Sequence, residues 1–524
     1  MVCCGGVAAA AMAVVLIVGA SEGPCATMRT PAWPAALPGD AGVQLWTELR
    51  AQEPAYTALR RALPKGAARP GFDFTRTPAV LDFADWFSRH ALSPTRVLSL
   101  YASDPEVTLL LARAPDAVVD LCVFDGTRRC DLHHMDLPLP GAGYDAVVFA
   151  QTLEHLYDPL LALVNVYRHL RPGGIVATSV PTHNFPHMAP FHFSHFTPVG
   201  LALLLRAAGF DVLEIGYWGN ALYLRKLYGE ATWPDVGDVG SPIENELPRA
   251  AQAWVLARKP VGSGRDAPVS RATNWMTMHP RVDAADIAAL FAHLRLQRDA
   301  FVEPLAAAAA RRAIPKWHAL DAGVWAAAQA LVEATRRAGV APPRALASTP
   351  GASGAFAAAL GAETAHVWSA ADSLAPPPDM LIMHAHLEFM IDAQSDVEAA
   401  AVALAPGGAL WIVAPTILRA ADADGARPPL RAFTATGLAV TAARAGLTVL
   451  DGGAWGNLPY VDGLIDGKAL TVCELERASW TARYWWRNAP TWPRAAVAWV
   501  LARKEGSSRL GEVSGDPQAS GILQ

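Results

Sequence analysis

The sequence predicts an α/β protein made of two tandem doubly wound domains, each with a mostly parallel sheet and a helical N-terminal extension. Three observations carry that prediction. Short apolar runs of strand length alternate with helical stretches, as in βαβ units. Long segments of the chain recur in order, which marks a repeated unit. The composition is 52% hydrophobic and only 17% charged over 524 residues, as expected where parallel strands are buried on both faces. The same arithmetic disfavours disorder and coiled coil. Net charge is −5, from 43 Lys+Arg against 48 Asp+Glu, with no long basic run, so a nucleic-acid partner is not expected.

The repeat is explicit. RAAQAWVLARK (Arg249 to Lys259) returns as RAAVAWVLARK (Arg494 to Lys504), and GYWGN (Gly216 to Asn220) as GAWGN (Gly453 to Asn457). Between these lie FTPVGLALLLRAAGF (Phe196 to Phe210) against FTATGLAVTAARAGL (Phe433 to Leu447), and LRPGG (Leu170 to Gly174) against LAPGG (Leu404 to Gly408). Asp145 with Leu153-Glu154 matches Asp379 with Leu387-Glu388. The expected organisation is a leader-like segment over 1–26, a helical extension over 27–80 and a first domain over 81–259. A Pro/Gly/Ser-rich linker over 260–279 and a helical lead-in over 280–319 precede a second domain over 320–504, with a disordered tail over 505–524.

Taken in order, Val2 to Ala20 carries no charge and has the texture of a signal-peptide core. It reads as a cleaved leader for the secretory pathway or an organelle, as a membrane anchor, or as residues upstream of a true start at Met28 that would leave the protein cytoplasmic. Within the first copy, RVLSLY (Arg96 to Tyr101) reads as a strand, EVTLLLARA (Glu106 to Ala114) as a helix, and DAVVDLCVF (Asp116 to Phe124) and YDAVVFA (Tyr144 to Ala150) as strands. A helix over about Pro159 to Leu170, a Gly-Gly turn and the strand GIVATSV (Gly174 to Val180) follow. Ligands of such sheets sit at the carboxyl ends of the strands, so function belongs in the loops after Tyr101, Phe124, Ala150 and Val180. Cys25, Cys122, Cys130 and Cys473 show no C-x-x-C or zinc spacing, and no disulfide framework is indicated.

The loop after Ala150 reads QTLEHLYDP, with LPLPGAGYD before it and LRPGG after it. This run resembles the central part of class I S-adenosylmethionine-dependent methyltransferases of the type 11-like group, and the resemblance covers Leu81 to Lys259 well and Leu320 to Lys504 weakly. It implies seven-stranded Rossmann-like sheets, S-adenosylmethionine as cofactor, and methyl transfer to a small-molecule or glycan-like acceptor. Such transfer needs chiefly an acceptor held in line with the methyl carbon, with a base only where the nucleophile carries a proton. A pseudo-methyltransferase serving as an interaction module is the competing reading. No G-x-G-x-x-G follows either first strand, which argues against a nucleotide-dependent oxidoreductase.

On this resemblance Ser99, Tyr101, Ala102, Ser103 and Gln151 surround the cofactor. The chain departs from the family pattern here, because RVLSLYASDPE has Ser99 at the usual acidic position and no glycine. The ribose-binding acid is Asp120 or Asp125, with Asp125 favoured because it follows the strand; its plain reading is a turn Asp before Gly126. On the adenine side, Asp131 and Asp136 both lie near Leu137-Pro138, and spacing does not choose between them. Glu154 and His155 are the catalytic candidates, His155 as acceptor-orienting group or general base. His183, His187, His192 and His195 crowd one segment, and His183, His187 and His195 are expected on the substrate side. No metal is expected from that run, since no carboxylate or Cys interleaves and Pro181, Pro186 and Pro190 rule out a helical ligand face. Trp218 and Trp455 read as core or domain-contact residues. In the second copy Phe389 replaces the histidine of Leu-Glu-His, and the stretch before Asp379 is shorter by about one strand with its loop. That copy is expected to lack the chemistry and to pack against the first.

Overall fold

The computed structural model of the chain describes residues 92–100, 114–123, 127–188, 190–234, 245–264, 321–349, 353–360, 365–369, 376–420, 428–478 and 494–506, with a few isolated positions elsewhere. The leader-like segment, all but a few positions of the extension over 27–80 and of the stretch 265–319, nearly all of the helix expected over 106–114, and the tail from 507 lie outside the described residues. Among the described residues no helix is long and apolar enough to cross a membrane.

Two six-stranded sheets organise the chain. The first contains β1 (Arg96–Ser99), β2 (Val118–Leu121), β3 (Tyr144–Ala150), β4 (Leu170–Pro181), β6 (Asp211–Trp218) and β7 (Gln252–Arg258), in the order β2-β1-β3-β4-β7-β6. The second contains β8 (Leu346–Ser348), β9 (Ala365–Val367), β10 (Met380–His384), β11 (Ala409–Pro415), β13 (Leu447–Trp455) and β14 (Val497–Lys504). Its order, β9-β8-β10-β11-β14-β13, is the same. In each sheet the last strand in sequence runs antiparallel to both its neighbours and the remaining pairs are parallel.

In the central strands side chains alternate between two buried faces, so these strands read as nearly unbroken apolar runs. Ala146 and Val148 face one core, Val147 and Phe149 another. In the second sheet Trp411 and Val413 face one way, Leu410 and Ile412 the other. One apolar cluster is continuous through both halves, joining Trp254 and Trp218 to Trp411, Trp455 and Trp499. Trp218 and Trp455 are buried against Tyr223 and Tyr460, as expected of core residues. The repeated aspartate also has a structural reason. Asp145 accepts hydrogen bonds from the Thr95 and Arg96 backbone, tying the start of β3 to that of β1, and Asp379 does the same for Arg344 and Ala345.

Three expectations are corrected. Each sheet has six strands among the described residues, not seven; in the first half residues 127–143 form turns instead of an outer strand. Those turns are tied by a disulfide between Cys122 and Cys130, which the scattered cysteine spacing did not indicate. The second half loses no strand relative to the first; the shortening falls largely in the connection from β9 to β10, residues 368–379, against residues 122–143 in the first half.

The halves meet through reciprocal contacts. Strand β5 (Ser194–Phe196) pairs antiparallel with β12 (Arg431–Phe433), each contributed by a different half. The helices that follow, α2 (Pro198–Ala207) and α7 (Ala435–Arg444), are capped by Thr197 and Thr434. Each threonine hydroxyl also donates across the junction, Thr197 to the Pro429 carbonyl and Thr434 to that of His192. Gly200 and Gly437 sit where the opposite half's backbone comes closest. An added Cβ would stand 1.8 Å from the Leu430 oxygen and 2.1 Å from the Phe193 oxygen respectively. The arginines of the repeated RAAxAWVLARK segment cross over as well. Arg249 donates to the carbonyl of Ile465 at the end of Leu458–Ile465, and Arg494 to those of Tyr228 and Gly229 near the end of Ala221–Glu230. Other contacts across the junction are not reciprocal, among them the buried Arg444 guanidinium, which donates to Asp158 at 2.6 Å.

Two predictions follow from this junction. Gly200→Ala and Gly437→Ala should each destabilise the chain by about 1–3 kcal/mol through forced backbone displacement, read as lower thermal midpoints; unchanged midpoints would show that the two helices are not in such close contact. Arg444→Met strands the Asp158 carboxylate in the interior and should cost about 3–5 kcal/mol, with the double variant Arg444→Met/Asp158→Asn recovering much of it. Equal losses in the single and double variants would contradict the ion pair.

Candidate functional site

In the first sheet β1 is flanked by β2 on one side and β3 on the other, so the chain leaves β1 and β3 in opposite directions at their carboxyl ends. That divergence opens a crevice, the usual ligand position of such sheets. Ser99 ends β1 and is fully buried, its carbonyl accepting from the Cys122 N–H. Tyr101, Ala102, Ser103 and Asp125 lie outside the described residues. Across the crevice β3 ends at Ala150, and Gln151 adopts a left-handed backbone with φ of 51°. Its N–H donates to the Ser179 carbonyl and its amide to the Ser179 hydroxyl. Left-handed backbone in a residue other than glycine carries strain and here redirects the chain out of the sheet. The equivalent Ala385 does the same in the second half with φ of 50°.

The chain then makes a 3-10 turn, Leu153–His155, followed by helix α1 (Pro159–His169), whose N-cap Asp158 accepts from the Leu161 N–H. Leu153 anchors the turn in the core and Glu154 is fully buried, while the His155 side chain retains 14% exposure. The Glu154 carbonyl accepts from the Phe193 N–H, which fastens the turn to the segment leading into β5.

That segment delivers the histidines. His155 Nδ1 donates to the Phe191 carbonyl at 2.6 Å. Its ring is 5.0 Å from that of His187 and 5.3 Å from that of His192, both edge-on. His192 Nε2 is 2.7 Å from His195 Nε2. Glu154 Oε1 lies 3.7 Å from His155 Nε2. Burial pushes the His155 imidazole down to about 4 against the opposing Phe191 hydrogen bond, and burial with nearby imidazoles pushes His195 down to about 3. His183 makes its hydrogen bonds outside this group. Its ring is buried between the carbonyls of Ala250 and Leu418, the second belonging to the other half, so it ties the halves together. Of the histidines in the run, His187, His192 and His195 gather with His155, and His192 holds the centre. The sequence signal for His192 was the crowding itself, which does not say which ring faces which.

The two acids near Leu137 are distinguishable. Partial burial raises the Asp131 carboxyl, but hydrogen bonds and charge from His133, with a further bond from His134, hold it at about 2. Asp136 is 53% exposed and pairs with Arg128 at 3.0 Å. Asp131 is thus occupied within its own turn, while Asp136 presents its carboxylate outward.

The second half copies this backbone with different chemistry. Its 3-10 turn Leu387–Phe389 keeps a buried glutamate, Glu388, whose backbone carbonyl accepts from Leu430 as that of Glu154 does from Phe193. Phe389 supplies no polar atom where His155 stands. Burial raises the Glu388 carboxyl to about 7.

The family model matches within the first half, and the other comparisons name methyltransferases as well. Residues 78–215 match the family model described as a methyltransferase domain. A Mycolicibacterium smegmatis protein described as a probable S-adenosylmethionine-dependent methyltransferase is 37% identical over 93 residues, which are 16% of this chain and 36% of that one. The chain thus spans about a third of the length of the curated relative it matches. Among solved structures, a SAM-dependent methyltransferase from Archaeoglobus fulgidus aligns at 17% identity and a TM-score of 0.24, covering 35% of this chain and 96% of that one. The 1,6-didemethyltoxoflavin-N1-methyltransferase of Burkholderia thailandensis aligns at 16% identity and a TM-score of 0.22, covering 44% and 94%. At these scores the two structures add nothing to the fold, which rests on the sheet orders themselves.

The raised Glu388 carboxyl gives a pH prediction. The unfolded chain ionises this group above about pH 4.5 while the folded chain keeps its proton to about pH 7. Stability should therefore fall as pH rises across that window and then level off. Thermal midpoints from pH 4.5 to 8 should show this decline in the natural chain and a smaller one in Glu388→Gln; identical profiles would refute it. Over residues 78–215, then, the chain matches the methyltransferase domain family.

Proposed function

We propose that the first half, residues 81–259, transfers a methyl group from S-adenosylmethionine to a small-molecule or glycan-like acceptor. The match of residues 78–215 to a methyltransferase domain carries this reading, because that segment contains both walls of the crevice between β1 and β3. The groups described there suit the cofactor. Ser99 and Gln151 stand at the ends of the two strands that bound the crevice, Gln151 with its amide on the Ser179 hydroxyl, and Asp136 carries an outward carboxylate that would exchange Arg128 for the adenine side. S-adenosylmethionine supplies an activated methyl, and the residues of this chain serve mainly to hold the acceptor in line with it. His155, held by the Phe191 carbonyl at the rim of the crevice, orients that acceptor together with Glu154. His187 and His195 complete the acceptor side.

We read residues 320–504 as a second copy of the same unit that lacks the chemistry. The identical strand order and the reciprocal junction support this, as does Phe389 in place of a histidine. The second copy then acts by holding the loops of the first.

The test is calorimetric titration of the full chain with S-adenosylmethionine and S-adenosylhomocysteine. Saturable binding is expected, and Asp136→Ala should weaken it. His155→Ala should reduce turnover on any acceptor while leaving cofactor affinity nearly intact. No heat up to millimolar cofactor would replace this reading with a non-catalytic binding module, and a large affinity loss in His155→Ala would contradict the role given to that residue.

A further inference from the structure

We propose that His155, His187 and His192 form a binding site for one divalent first-row transition ion, with zinc the best fit. Each offers a ring nitrogen, and the three nitrogens lie within 4.8 Å of one another. Tetrahedral zinc with bonds of about 2.0–2.1 Å holds its ligand nitrogens about 3.4 Å apart, so closure takes side-chain rotation on the order of 1 Å. The histidine run alone has no ligand spacing for a metal, because it supplies only two of the three ligands. The missing one, His155, comes from the turn after β3.

Hydrogen bonding prepares the rings. His155 Nδ1–H donates to the Phe191 carbonyl at 2.6 Å and His187 Nδ1–H to that of Phe185 at 3.2 Å, which places the lone pair on Nε2 in both. His192 Nδ1 accepts from the His187 backbone N–H at 3.2 Å, and its Nε2 then donates to His195 Nε2 at 2.7 Å, leaving its lone pair on Nδ1. Ligating imidazoles characteristically donate their other N–H to a carbonyl or similar acceptor, and all three do so here. An ion displaces only the long contact to His192 Nδ1. The buried Glu154 carboxyl lies 3.7 Å from His155 Nε2, beside the ligand nitrogens. Three imidazoles select zinc and its neighbours over magnesium or calcium, which need oxygen ligands. Three protein ligands also leave a coordination position open. Resting on the methyl-transfer reading, that position takes an oxygen or nitrogen of the acceptor. His187 is partly exposed, and the adjoining Met188 is 61% exposed, so the site is open to solvent on that side.

The experiment uses the full chain without an affinity tag, stripped with EDTA and titrated with zinc sulfate by calorimetry, with cobalt(II) absorption as a readout of geometry. One zinc per chain and a tetrahedral cobalt spectrum are expected. His187→Gln, at a partly exposed position that tolerates change, should weaken zinc at least about tenfold, as should His155→Ala. His195→Gln, which removes the outer hydrogen bond to His192, should cost about 10–100-fold. His366→Gln, on exposed β9, should bind like the natural chain. Circular dichroism and thermal midpoints establish that each variant is folded. No zinc binding by the natural chain, or undiminished binding by folded His187→Gln/His192→Gln, overturns the proposal. A parallel titration with S-adenosylmethionine separates the two readings: zinc bound without cofactor sinks methyl transfer alone, and cofactor bound without zinc sinks this site alone.

Discussion

The antiparallel pairing of β5 with β12 is the constraint on which the arrangement of the site depends. His195 lies opposite Ala432 in that ladder, and His192 enters it with its carbonyl bonded to the Thr434 hydroxyl. The position of two clustered imidazoles is therefore set by backbone from the other half. The pairing is flanked on each side by a threonine cap and a glycine at closest approach, so neither half can shift along it without losing hydrogen bonds and meeting carbonyl oxygens. The relation resembles an isologous dimer interface folded into one chain, where each surface meets its own counterpart.

The two halves share a backbone and differ in the side chains it carries. Both turn the chain through a left-handed residue, both place a buried glutamate in a 3-10 turn, and both anchor that turn to the strand at the junction. Only the first ends that turn in histidine. A shared backbone thus holds a group of converging imidazoles in one half and an aromatic plug in the other, and function follows the side chains rather than the fold.

Much of this was legible in the sequence for physical reasons. Tyr144 to Ala150 could be read as a strand because burial on both faces leaves Ala146 to Ala150 without a polar residue, and its observed bounds are identical. The helix starting at Pro159 was legible because Asp158 and Pro159 make a strong N-terminal signal. The RAAxAWVLARK repeat was visible, but the role of its arginines was not. Arg249 reaches a carbonyl 216 residues away, and no local pattern encodes a contact of that range. The lysine ending the repeat was equally silent, although Lys259 donates to the carbonyls of Tyr167 and Leu170 and Lys504 to those of Val402 and Leu404. His155 and His192 were each visible as polar residues in an apolar chain. Their meeting was not, because it is decided by the Glu154 to Phe193 backbone bond. The Cys122–Cys130 link failed to register because its spacing belongs to no familiar framework.

The junction also sets a timetable. The Thr434 hydroxyl and the His192 carbonyl are 242 residues apart, and at about 5–20 residues per second a ribosome takes roughly 12–48 s to make the intervening chain. Once Arg258 is made the first half has all six strands of its own sheet, but until β12 follows the strand carrying His195 has an unpaired edge, the feature most prone to pair with the wrong chain. The histidine loop is thus among the last parts of the first half to become ordered, and the second half reaches it in the manner of a chaperone supplied by the same polypeptide.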